Sequence, residues 1–261
     1  MPCAELAMFP LNNLARHGMS GGHPHAVTMW LARWGGVLTD VLTRTEAGMV
    51  MPFLPSGGFR AAARALRGCE VAGIVGRRDW VRGLEGALSL TGRRSLDHDE
   101  PQFVLDLVAL TVPEGPKRIE ALARAPVEII KGWMLEYQMA TLNTPADQAA
   151  RRVEGSLAQF LALGSHVVLM DRDTALAMTG FNAQLPHIVQ VGGDNVPPGL
   201  RGRGIARRAV ALHLGQARAA GVLRATLFSA SDMAARACRA LGFRQTGDWM
   251  RLLLHDKEKV G

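Results

Sequence analysis

The chain has 261 residues, 48% hydrophobic and 20% charged, with a formal net charge of +7. That length and apolar content suit one large or two ordinary globular domains with a real core, and no apolar run approaches the roughly eighteen residues of a membrane span. Lys117, Lys131, Lys257 and Lys259 are the only lysines, so arginine carries nearly all the positive charge; the arginines are scattered and not interleaved with aromatics, which points to a solvated surface with a local anion site, and a nucleic-acid partner is not indicated.

Residues Ala4 to Trp34 read as helix in two pieces, broken at Gly21-Gly22-His23-Pro24. Val37–Thr43 and Gly48–Leu54 read as a hairpin, Phe59–Leu66 as a short helix and Val71–Val75 as a strand. A helix over Asp79–Leu90 and a strand over Gln102–Leu110 follow. Gly73-Ile74-Val75-Gly76-Arg77-Arg78 reads as a strand–helix junction. Pro113-Glu114-Gly115-Pro116 is the best domain boundary, because two prolines and a glycine extend neither helix nor ladder. The expected domains are 1–115 and 116–261.

The second domain opens with a strand over Lys117–Leu122 and a helix over Pro126–Leu142, with proline where a missing N–H costs nothing. Thr144-Pro145-Ala146-Asp147 reads as the cap of a helix running to Leu163 and ended by Gly164. His166–Met170 is apolar and β-branched, hence a strand, and Thr174–Phe181 returns as its hairpin partner. His187–Val196 is a further strand. Gly202–Ala220 reads as helix, Leu223–Phe228 as strand, and Met233–Leu241 as a helix capped by Asp232. Arg244–Leu254 completes the sheet.

The stretch Pro198-Gly199-Leu200-Arg201-Gly202-Arg203-Gly204-Ile205-Ala206-Arg207-Arg208 joins a strand to an amphipathic helix. It sets free backbone N–H groups at a helix N-terminus among arginines, an arrangement that holds phosphate. No Walker string occurs. A dinucleotide fingerprint counted from Gly202 ends on Arg207, whose side chain is too large for close helix–strand packing. The pattern that fits is Arg/Gln-x-x-Gly-x-Gly/Ala, and Ala240-Leu241-Gly242-Phe243 closes a later helix.

Together these motifs resemble the pyrophosphate loop and second signature of the GNAT (Gcn5-related N-acetyltransferase) superfamily, over roughly Arg118 to the C-terminus. The resemblance implies an α+β fold with a mixed central sheet flanked by helices, preceded by an additional N-terminal α+β domain that could be a degenerate copy. It implies acetyl-CoA as cosubstrate, without metal, and direct attack by an amine. Asp194, Asn195 and Val196 would pair with the pantetheine arm. Arg201, Gly202, Arg203, Gly204, Ile205, Ala206 and Arg207 would surround the pyrophosphate, glycine admitting close approach without a Cβ.

The chain departs from that family where an Asn and a Tyr often stand: it has Ser231 and Cys238, and its one tyrosine is Tyr137. Cys238 is a candidate acid for the leaving thiolate, or a small filler on a helix; Ser231 is a candidate pantetheine contact. Asp194 and His187 are candidate bases. Gln190 and Asn182 are polar residues on apolar strands facing the expected cleft. The acceptor that the resemblance implies is a small-molecule or peptide amine, with small amine, amino acid, antibiotic and protein N-terminus all open. Another acyl donor, an O-nucleophile, a non-catalytic acyl-CoA sensor and a homodimer all stay open. Cys3, Cys69 and Cys238 have neither metal-ligand nor disulfide spacing, and the N-terminus lacks a secretory pattern. Both point to a reducing cytoplasm.

Overall fold

Helix α1 (Met8–His17) leads into a hairpin of β1 (Val27–Trp34) and β2 (Val37–Thr45) in the computed structural model. The second expected helical piece is therefore a strand. Gly35 and Gly36, both with positive φ, form the tight turn that lets Val27–Trp34 fold back onto Val37–Thr45. The structure describes residues 4–19, 21–115, 118–140, 144–229 and 231–261. Cys3, Pro116, Lys117 and Leu142 lie outside them.

After β3 (Met49–Phe53), α2 (Phe59–Ala65) crosses to β4 (Glu70–Arg77), parallel to β3; α3 (Arg78–Leu88) and β5 (Arg94–Asp106) follow. Next come β6 (Arg118–Ala121), α4 (Val127–Ala140), α5 (Ala146–Leu163), β7 (His166–Asp171), β8 (Thr174–Leu185) and β9 (Ile188–Asn195). The chain ends with α6 (Ile205–Ala219), β10 (Arg224–Phe228), α7 (Asp232–Arg239) and β11 (Arg244–Lys259). The order from β6 onward is the expected one.

Contacts divide the chain into two units, parting between Phe103 and Val104. The first holds the N-terminal elements, the residues around Phe228, and the chain from Gln245 onward. Its strands lie in the order β1-β2-β3-β4-β11-β5. The last strand thus joins the first unit, where it runs antiparallel to β4. Leu42, Val50, Leu66, Ile74, Leu84, Met250 and Leu252 build that unit's core.

The second unit orders its strands β10-β9-β8-β7-β6, antiparallel except for the β9–β10 pair. Each unit is thus a mixed sheet flanked by helices. Alternation along β7 sorts the helices of the second unit. Val168 and Met170 join Leu122, Ile130 and Leu157 beneath α4 and α5. Leu169, between them, joins Leu176, Ala177, Ile205 and Ala209 beneath α6. Gly164, at φ +56°, ends α5 as expected. Thr144 does not cap its start: its hydroxyl bonds Gln138 instead, and Pro145 occupies the N-cap position.

Gly180 sits under the His166 ring, leaving no room for a Cβ. His166 is buried, stacked on Phe160 at 3.5 Å between ring centroids. Gly180→Ala is expected to cost about 1–3 kcal/mol in urea denaturation, the range of core overpacking. Combined with His166→Ala, the loss should fall short of the sum of the single effects. Strict additivity would mean that the ring and the glycine do not meet.

Candidate functional site

Strands β9 and β10 pair over three positions, Ile188–Arg224, Val189–Ala225 and Gln190–Thr226. Beyond Gln190 the β9 edge leaves β10 while its other edge stays on β8 as far as Asn195. A strand edge released in this way presents N–H and C=O groups to an extended ligand, the condition for strand-like addition. Asp194 and Asn195 lie on the released stretch. Val196 follows it and turns its carbonyl to Arg201 Nε at 3.0 Å.

The register of β8 on β9 breaks twice. Three steps on β9, Gly192 to Asn195, oppose two on β8, Met178 to Gly180. The extra residue is a bulge, made possible by Gly193 at φ +72°. Gly193 also lies against the buried His166 ring. The bulge re-aims Asp194, whose carboxyl accepts a hydrogen bond from the buried Thr179 hydroxyl. The Asp194 residue is exposed as a whole, yet its carboxyl end is desolvated, and burial pushes its pKa up to about 6 against the opposing pull of Thr179. Asn195 Nδ2 donates to the Trp133 carbonyl at 3.2 Å, tying the strand end to α4.

From Val196 the chain passes a 3-10 turn, Pro198–Leu200, and enters α6 at Ile205 rather than at Gly202. Gly202 at φ +76° and Gly204 at φ +71° hold the backbone out of the helix until then. Gly204 is the N-cap and has no side chain to satisfy the first-turn amides of Ile205, Ala206 and Arg207. No acidic residue occupies that turn, so the positive end of the helix dipole is unopposed. Arg207 Nε, and Arg208 Nε and Nη1, are buried without a hydrogen-bond partner. Arg208 uses its other terminal nitrogen on the Gly115 carbonyl. Arg203 is exposed beside them. Open amides and unsatisfied guanidinium donors together fit a diphosphate.

Cys238 on α7 is half-buried and close enough to Asp194 to feel its charge. Burial first, and then the Asp194 charge, push its thiol up to about 12. Ser231, not Asp232, caps α7: its hydroxyl accepts from Ala234 N at 3.2 Å. Gln190 is buried at the fork itself, with Oε1 unpartnered. Asn182 is exposed on β8 over Gly192. His187 is not brought to this site. It lies in the exposed β8–β9 turn, seven residues and roughly 23 Å of strand from Asp194. Sequence reasoning missed Thr179, His166 and Arg208. The pair Gly192-Gly193 was the available signal, since adjacent glycines in an apolar strand mark a bulge or close packing.

Among the described residues no group of His, Cys, Asp and Glu could hold a metal ion, and no helix is long and apolar enough to cross a membrane.

No family model matches the chain, and no curated protein sequence does. Solved structures do. A GNAT-family acetyltransferase from Colwellia psychrerythraea is 12% identical, covers 96% of this chain and 94% of its own, with a TM-score of 0.53. A GCN5-related N-acetyltransferase from Kribbella flavida is 16% identical over 97% and 95%, TM-score 0.55. A tandem GNAT protein from the clavulanic acid biosynthesis pathway is 15% identical over 90% and 83%, TM-score 0.55. The likeness is one of fold: a GNAT acetyltransferase fold spans most of this chain.

Because its folded-state pKa lies above the unfolded value near 3.9, Asp194 keeps its proton longer in the folded chain. Its ionisation therefore lowers stability as pH rises from about 4 through about 6. Asp194→Asn is expected to raise Tm at pH 7.5 and to leave it unchanged at pH 4. Equal shifts at both pH values in thermal melts would show that the carboxyl is not desolvated.

Proposed function

We propose that the second unit is an acetyl-CoA-dependent N-acetyltransferase acting on a small-molecule or peptide amine by direct attack. The observation that carries this reading is the coincidence of a parted strand edge with the unsatisfied donors at the start of α6. Main-chain amides from Gly202 to Arg207, with the Arg203 and Arg207 guanidinium groups, would hold the pyrophosphate. The open edge at Asp194 and Asn195 would hold the pantetheine arm, with Ser231 across from it. Bound acetyl-CoA supplies a thioester carbon open to an amine nucleophile.

The protein's own contribution is positioning and proton management. Asp194, with a pKa near 6, is ionised at neutral pH and would take the proton that the amine nitrogen sheds as it bonds the thioester carbon, while the C–S bond breaks and the coenzyme A thiolate leaves to be protonated by solvent. Cys238 faces the same region. A thiol whose pKa is about 12 holds its proton too tightly to protonate efficiently a thiolate of pKa near 8.5. We assign Asp194 the base role and treat Cys238 as a neutral neighbour.

The first unit fits a degenerate copy of the same plan. It has three antiparallel strands, a helical crossover to a parallel strand, a helix and a further strand, as does the run from β7 to β11. A reducing cytoplasm suits the free Cys69 and Cys238.

Calorimetry should detect acetyl-CoA binding, weakened roughly tenfold or more by each of Arg203→Glu and Arg207→Glu, as for loss of a charge-assisted hydrogen bond. Thiol release against a panel of amines should rise as pH passes about 6, and Asp194→Asn should remove that limb. Cys238→Ala should keep turnover within about threefold, since no proton transfer depends on it. Tight binding with no turnover on any amine would mean an acyl-CoA sensor, and absence of binding would sink both readings.

A further inference from the structure

The first unit has a pocket of about 270 Å³, open to solvent on one side, between β1, β2 and α2. Trp30, Leu42 and Leu54 form apolar walls, the alanine face of α2 closes one side, and Asp40 supplies a carboxylate. Asp40 is only 5% exposed. One of its oxygens accepts from Ser56 N at 3.0 Å and the other from the Ser56 hydroxyl. Gly58 lies directly over it: a Cβ there would meet Oδ2 at 2.9 Å.

Both partners of this carboxylate are neutral. An ionised carboxylate accepts about four hydrogen bonds, so two acceptor positions remain. No ion pair reaches Asp40 among the described residues. The arginines of its own hairpin are directed elsewhere, Arg33 to the Gly36 carbonyl and Arg44 to the Glu70 carbonyl. A buried charge without a counter-charge is unfavourable, and a cation entering the cavity would supply it.

We propose that this cavity is a binding site for a small organic cation, an ammonium head on Asp40 with an apolar ring or short alkyl tail against Trp30 and the leucines. The walls select the class. A bare divalent cation needs six or more oxygens, and this lining offers one carboxylate. A polyol would leave its hydroxyls unpaired against leucine and alanine. An anion would meet a like charge. The Trp30 ring adds a face that attracts cations. The site is separate from the acyl-transfer site proposed above and does not depend on it.

Phenethylammonium chloride is a suitable probe, titrated calorimetrically into the full-length protein without acetyl-CoA, with 2-phenylethanol and phenylacetate as neutral and anionic controls. Saturable binding of the amine at least tenfold tighter than the alcohol, with no binding of phenylacetate, is the expected result. Asp40→Asn should weaken it tenfold or more. Because Asp40 also holds the Ser56 loop, Ala61→Phe provides a second arm: it fills the cavity from the exposed face of α2 and leaves Asp40 and Ser56 in place, and it should abolish binding. Arg207→Glu, which is expected to weaken acetyl-CoA binding, should leave phenethylammonium binding unchanged. No amine binding, equal affinity for the alcohol, or wild-type affinity in the filled variant would overturn the proposal.

Discussion

The parting of β9 from β10 after three residue pairs is the constraint around which the second unit is arranged. Backbone N–H and C=O groups in a folded chain demand partners. Along β8 the demand is met by a ladder that continues to Asn195. On the side facing β10 the pairing ends with Gln190 opposite Thr226. The released edge leads straight into the turn that opens α6, whose first amides are also unsatisfied within the chain. Two kinds of open main-chain donor thus follow one another along a single segment. Neither depends on a particular side chain.

Side chains sharpen what the backbone leaves open. Gly193 makes the bulge, the bulge turns Asp194 toward Thr179, and the resulting desolvation moves a carboxyl into the range useful for proton transfer near neutral pH. The same region raises the Cys238 thiol, so neighbouring groups are pushed toward neutral forms together. At the other end of the segment the imbalance has the opposite sign. Buried nitrogens of Arg207 and Arg208 lack acceptors, beside a helix terminus with no acidic residue in its first turn. The segment therefore runs from a carboxyl whose pKa burial has raised to donors that favour an anion.

Much of the second unit was legible because local signals agreed with one another. Gly164 ends α5 where periodicity stops, and the alternation of β7 survives as two buried faces. The glycine-rich turn before α6 was legible through its spacing, although Gly202 and Gly204 delay the helix by three residues beyond the expected start. The strand Val27–Trp34 was not. Met29, Leu31, Ala32 and Arg33 are good helix formers, and their pairing is decided by the Gly35-Gly36 turn and by Val37–Thr45. The partner of β11 was hidden for a different reason: Met250 pairs with Gly76 and Leu252 with Ile74, and no local pattern encodes contact across that separation. The importance of Thr179 and the tuning of Asp194 depend on a register break, which alternation cannot reveal.

The two strand–helix–strand crossovers show how little change is needed to redirect such a junction. Both follow an antiparallel run and both lead to a parallel strand. After β9, Pro197 to Gly204 form a long turn whose glycines leave the α6 amides uncovered. After β3, Leu54 to Gly58 form a short one, and Asp40 reaches in from β2 to take both the Ser56 amide and its hydroxyl. A negative charge already lies where the second junction leaves room for one. An incoming phosphate at the first junction would meet like charge and find its donor engaged, so that junction is closed to diphosphate by the group that makes it stable. Among the described residues the carboxylate that closes it has no cationic partner, so this junction favours a cation over an anion.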